Sequence, residues 1–302
     1  MMMTLETAAG SQYSFQKAEG IPGLQGFPMD GGGAVGTLEE KAALREGGAR
    51  AADAPHGSGY WHVLKRKGFA WLLAAQALAV FDDNTFKQIL FLYAAATLAS
   101  PAVRDRVISW GTALYVLPYI VLSSCAGQVA DRFSKRRVII SLKIIEASLL
   151  AVAAVAMYRG SIEAMLAALF LLGCHAAFLD PAKEGILPQI FPEGDLSRAN
   201  GLMQLTIYSM IVLGPVAAGV LLDVFPARPY APVAMLTGMA LIGLAFATGI
   251  TRVAPIAAGE QFRWNLVGEF LRNFREIRES RALLQTVLAI AYFWFLGAGY
   301  LQ

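Results

Sequence analysis

From Phe69 onward the chain is a succession of apolar stretches cut by short charged, proline- or glycine-bearing breaks, and this alternation constrains its fold more than any other feature. A helix needs about 20 apolar residues to cross a bilayer. Seven segments reach or approach that length, at 69–98, 107–130, 138–158, 162–180, 201–222, 231–250 and 282–302. Soluble domains carry about a quarter charged residues. Here 16% are charged and 56% hydrophobic, so the expected fold class is an all-α integral membrane protein. The first segment is long enough to tilt or break.

Residues 1–60 are rich in Gly and Ala with scattered charges and lack an apolar run of signal-peptide length, so a disordered tail is expected there. Lys and Arg in loops resist translocation, whereas acids count for little. Fifteen of them, from Lys65, Arg66 and Lys67 through Arg132, Lys135, Arg136 and Arg137 to Arg281, fall on one side of the expected membrane, against four (Arg104, Arg106, Arg159, Arg228) on the other. The amino terminus, the break at 131–137 and the long connection at 251–281 are therefore expected in the cytoplasm. The net charge of +3 lies at the ends of apolar segments, which excludes a nucleic-acid face, and Cys125 and Cys174 have no metal-like spacing. No metal, cofactor or nucleic-acid partner is expected; the bilayer is. In the connection, Phe262, Leu266, Phe270 and Phe274 recur every four residues, followed by Ile277, among Arg and Glu that nearly balance. This spacing predicts an amphipathic interfacial helix with a self-paired polar face.

The break between the second and third segments reads Gly127-Gln-Val-Ala-Asp131-Arg132-Phe-Ser134-Lys135-Arg136-Arg137. It resembles the signature loop of the major facilitator superfamily, matching it at Gly127, Asp131, Arg132, Arg136 and Arg137, with Ser134 in place of the usual Gly. The resemblance implies a conformational lock: Gly127 allows close helix contact, Asp131 faces the positive end of a neighbouring helix, and Arg132 anchors the cytoplasmic end. Two further stretches are similar to the lysophospholipid transporters of that superfamily. One is Phe81-Asp82-Asp83-Asn84-Thr85-Phe86-Lys87; the other carries Pro181, Lys183, Gly185 and Pro188, then Arg198 and Asn200, after the fourth segment. Asp180 stands where Gly is expected, and Asp82 where Asn is common.

The resemblance implies a major-facilitator-type six-helix bundle at 61–251, a cytoplasmic linker at 252–281, and a seventh helix at 282–302 that begins a second bundle missing from the chain. That missing bundle would also hold the partner of the lock. The implied function is transport of lysophospholipids across the bacterial inner membrane for reacylation. A general small-solute or drug exporter, and the membrane part of a fused lysophospholipid acyltransferase, are the alternatives. The chain itself is expected to be no enzyme.

Independently of family, Asp82, Asp83, Asn84 and Lys87 stand in the middle of an apolar segment, where an unpaired charge costs roughly 3 kcal/mol. Asp83 and Lys87 share a helix face and are expected to pair. Asn84 packs beside Lys87, which leaves one acid to meet a substrate ammonium or a coupling cation. Lys143 and Glu146 are expected to pair mutually or snorkel. Gly214-Pro215-Val-Ala-Ala-Gly219 reads as a kink with close packing at its glycines. His175 and Asp180 have acyltransferase-like spacing, but five helical residues put them on different faces, so His175 is expected to pack or face a pore.

Overall fold

The structure is a computed structural model that describes residues 59–256 and 266–300, and every regular element among them is helical. In order these are α1 (Tyr60–Leu64), α2 (Phe69–Thr97), α3 (Pro101–Arg132), α4 (Lys135–Tyr158), α5 (Ile162–Glu184), α6 (Leu187–Ile190), α7 (Glu193–Val224), α8 (Tyr230–Thr248), α9 (Leu266–Glu279) and α10 (Arg281–Tyr300). The expected disordered tail falls, but for its last two residues, outside the described residues. So does Phe262 of the expected amphipathic pattern, although α9 occupies the rest of that stretch.

Local chemistry explains the helix limits. Gly68 has φ of 83°, a left-handed conformation that favours glycine, and its Cα is pressed against Thr251 with no room for a Cβ. Pro101 starts α3 where its missing N–H costs nothing. Ser161 caps α5 by accepting a hydrogen bond from the Ala164 N–H at 3.2 Å. Several helices outrun the apolar segments that announced them. α3 includes Arg104, Asp105 and Arg106, and α7 includes Asp195 and Arg198, because charged first turns extend beyond the apolar length while remaining helical.

Among the described residues, five stretches are long and apolar enough to cross a membrane: α3, α4, α5 continued through α6, α7 and α8. The protein is a multi-pass integral membrane protein. The other two expected spans differ for definite reasons. α2 has 29 residues but carries three charged groups, Asp82, Asp83 and Lys87, in its middle. In α10 the described apolar run, Arg281–Phe293, is shorter than a span.

The principal packing pairs are α3 with α5, α2 with α7, α4 with α8, α4 with α5, and α2 with α8. Two separate apolar layers result. One contains Phe69, Leu72, Ile139, Leu142, Leu179, Met203 and Ile250; the other contains Phe86, Ile89, Leu150, Met157, Met165, Leu169 and Leu236. Along α2, α4 and α5 the chain between them supplies buried polar residues: Asp82, Asp83 and Thr85; Lys143 and Glu146; and His175. A polar layer thus crosses the bundle between two greasy ones.

Glycines set the helix spacing at this level. A Cβ on Gly214 of α7 would lie 3.0 Å from the Asn84 Cβ and 3.1 Å from the Thr85 nitrogen, and one on Gly173 of α5 would lie 2.5 Å from the Tyr115 carbonyl oxygen. Gly243 of α8 leaves space for the Lys143 ammonium, which a Cβ there would approach to 2.8 Å. The expected close packing therefore holds for Gly214 and fails for Gly219, which faces open space, and α7 runs unbroken through Pro215.

Candidate functional site

The four polar residues at the centre of α2 divide between two environments. Asp83, Asn84 and Lys87 face an open cavity of about 480 Å³, walled also by Tyr115 and Tyr119 of α3, Asp180 and Lys183 of α5, and Ile207 and Ile211 of α7. The Tyr115 hydroxyl donates to Asp83 Oδ2 at 3.3 Å. Lys87 Nζ donates to Asn84 Oδ1 at 3.1 Å and sits 5.4 Å from the centre of the Tyr115 ring. The expected Asp83–Lys87 ion pair is not formed: among the described residues no carboxylate lies within 4.0 Å of the Lys87 ammonium. Asn84, three residues from Lys87, takes the ammonium, and Tyr115 takes the carboxylate. Both α2 charges thus keep neutral partners and remain available across the cavity. Lys183 is spoken for, since its Nζ lies 2.6 Å from Asp180 Oδ1.

Asp82 turns the other way. It is fully buried and absent from the cavity wall, which corrects the expectation that it shares a site with Asp83 and Lys87. A step of one residue rotates a side chain by about 100° around a helix, and here that step carries Asp82 toward Lys143 and Glu146 of α4. Neither Asp82 oxygen makes a hydrogen bond of good geometry among the described residues. Lys143 Nζ is 2.8 Å from Glu146 Oε2, and His175 Nε2 is 3.6 Å from the same oxygen. Lys143 and Glu146 are 1% and 0% exposed, so they pair and do not snorkel. His175 reaches Glu146 while Asp180 holds Lys183, so the two form no histidine–carboxylate dyad.

The charged break after α3 is shorter than its motif, because Gly127 to Arg132 are the last helical residues of α3 and Lys135 to Arg137 the first of α4. Gly127 faces open space, so the close helix contact expected of it does not occur. Asp131 Oδ1 is 3.4 Å from Lys135 Nζ, and Lys135 is wholly buried over Gly185, where a Cβ would meet its Cε at 2.8 Å. Arg136 donates to the Thr248 carbonyl, Ser134 Oγ to the Val253 carbonyl at 3.0 Å, and the Ile256 N–H to the Asp131 carbonyl at 3.0 Å. The break therefore has hydrogen-bond partners within this chain. Arg132 is half-buried and Arg137 exposed.

The motif after the fourth segment is dispersed. Lys183 enters the cavity; Pro181 lies inside α5, Gly185 ends it, and Pro188 lies in the first turn of α6. Arg198 pairs with Asp195 at 3.1 Å in the first turns of α7, where Asn200 is exposed. Neither is brought to the cavity. Sequence reasoning overlooked Tyr115 and Tyr119, whose spacing of four in an aliphatic run placed both hydroxyls on one helix face.

The chain is 30% identical over 241 residues to the lysophospholipid transporter LplT of Escherichia coli (strain K12 / DH10B), and equally to that of Shigella boydii serotype 18. The matched region covers 77% of this chain but 55% of those relatives, so the chain spans little more than half their length. Its fold resembles the in meso crystal structure of the POT family transporter PepTSo, with a TM-score of 0.53 at 18% identity over 65% of this chain and 39% of that one. Residues 42–302 match the Major Facilitator Superfamily as a whole, and with the helical bundle and its charged break this shows that the chain belongs to that superfamily.

Proposed function

We propose that this chain supplies the headgroup-binding wall of a transporter that carries lysophospholipids across the bacterial inner membrane, with its amino terminus in the cytoplasm. One observation carries the reading: Asp83 and Lys87 stand on one cavity wall without forming a contact ion pair, beside the apolar Ile207 and Ile211. A zwitterionic headgroup satisfies both, its phosphate at Lys87 and its ammonium at Asp83, while the acyl chain lies against the apolar wall or the surrounding lipid. The relatives named as lysophospholipid transporters support the substrate class. Their additional length leaves room for a second helix bundle, which would supply the opposite wall and complete the alternating-access path. Asp82 and Glu146 place two carboxylates around one Lys143, and this imbalance is where a coupling cation would reside.

The test is uptake of labelled lysophosphatidylethanolamine into proteoliposomes that carry this chain together with the second helix bundle. Asp83→Asn and Lys87→Met should each reduce uptake about tenfold or more, the scale of one lost charge-assisted contact. Uptake at the parental rate in both variants refutes the assignment.

A further inference from the structure

Where α2, α4 and α5 meet, between the apolar layer of Phe69 and the polar layer, the bundle holds a void of about 10 Å³. It is lined by Leu72 and Gln76 of α2, Ile139 and Lys143 of α4, and Leu179 and Lys183 of α5. Each helix thus gives one apolar and one polar side chain four residues apart, which places them on one face. Gln76 is 3% exposed. Its Nε2 donates to the Met203 carbonyl at 3.5 Å, which leaves Oε1 as the end without a hydrogen-bond partner among the described residues. A buried acceptor that lacks a donor is costly. Donors stand on the other walls: Lys143 Nζ is 2.8 Å from Glu146 Oε2 and Lys183 Nζ 2.6 Å from Asp180 Oδ1, and an ammonium carries more N–H groups than one carboxylate takes up. One water needs a space of about 10–15 Å³ and a few polar partners. The void meets both conditions.

We propose that this void is a binding site for a single structural water held by Gln76: the water donates to Gln76 Oε1 and accepts from the Lys143 and Lys183 ammonium groups. The ligand must both donate and accept, which separates water from other small species. A chloride would suit the ammonium groups but offer Gln76 Oε1 no proton, and a metal cation would suit the oxygen but face two positive charges. The bound water joins two ion pairs that no hydrogen bond links among the described residues. Lys183 and Asp180 stand in the wall of the large cavity, whereas Lys143 and Glu146 lie in the core beside His175 and Asp82. Gln76 thereby makes the polar layer continuous from the cavity to the core. It also fixes two lysines of different helices relative to each other. The site is independent of what the cavity carries.

The experiment is X-ray radiolytic footprinting of this chain in detergent micelles, read by mass spectrometry. Hydroxyl radicals formed from a bound water oxidise the side chains beside it, even where bulk solvent does not reach. Leu72, Ile139 and Leu179 line the void; Ile186 and Leu187 belong to the same apolar layer away from it and serve as controls, and all five are buried. In the parent, the three lining residues should be oxidised several-fold faster than the controls, and Gln76→Leu should bring them down to the control rate. Gln76→Met serves where Gln76→Leu does not fold. Lining residues oxidised no faster than the controls in the parent overturn the water site. Oxidation that stays fast in a folded Gln76 variant overturns the assignment of Gln76 as its holder. Either failure leaves the transport reading standing, because no uptake is measured.

Discussion

Lys143 shows how far a single side chain governs this bundle. Its ammonium is the cation of a buried group that also holds Glu146, Asp82 and His175, with Glu146 bonded at 2.8 Å. Removing one partner of a buried ion pair costs about 3–5 kcal/mol because the remaining charge is stranded. Lys143→Met should therefore lower the thermal unfolding midpoint in detergent micelles substantially, and adding Asp82→Asn with Glu146→Gln should recover most of the loss. A midpoint unchanged in the single variant would show that the group carries no such strain. At this scale the sequence was legible along one helix but not across helices. Lys143 and Glu146 were a visible pair because they are three residues apart, whereas Asp82 finds them only through the docking of α2 near α4, which no spacing encodes. The same limit explains why Asp83 and Lys87 were wrongly paired: Tyr115, which takes the carboxylate, comes from α3.

Helices here are placed by where side chains are absent. Gly214 brings α7 against α2 directly behind Asn84, so it fixes the wall that holds the cavity charges. Gly214→Leu should destabilise the protein by about 1–3 kcal/mol through overpacking, and should impair lysolipid uptake. Gly219→Leu, one turn further and facing open space, should be tolerated in both assays. Equal effects of the two would remove Gly214 from this role. The glycines look alike in the sequence; only the neighbouring helix distinguishes them. Apolar runs and breaks were enough to find the helices of the bundle but not their true starts, because charged turns such as 101–106 and 193–198 are helical without being apolar.

For the molecule as a whole, the strongest sequence signal was the asymmetry of its basic residues, and the structure collects many of them at one end. Ser134 meets Val253, Asp131 meets Ile256, and Arg66 donates to the Ile190 carbonyl at 3.2 Å, so the ends of α1, α3, α6 and α8 converge there. Single cysteines at 134 and 253 should be modified by an impermeant maleimide only from the cytoplasmic side of inner-membrane vesicles, and those at 104 and 159 only from the opposite side. Labelling of 134 and 104 from the same face would refute the orientation. The charged layer between the two apolar layers also has an electrical meaning. A charge at mid-depth that moves to either surface crosses about half of the membrane field, worth roughly 1 kcal/mol per 100 mV. A net-neutral headgroup passing through this waist contributes no such work, so its movement is silent to the membrane voltage, whereas any unbalanced charge would make the voltage a driving force.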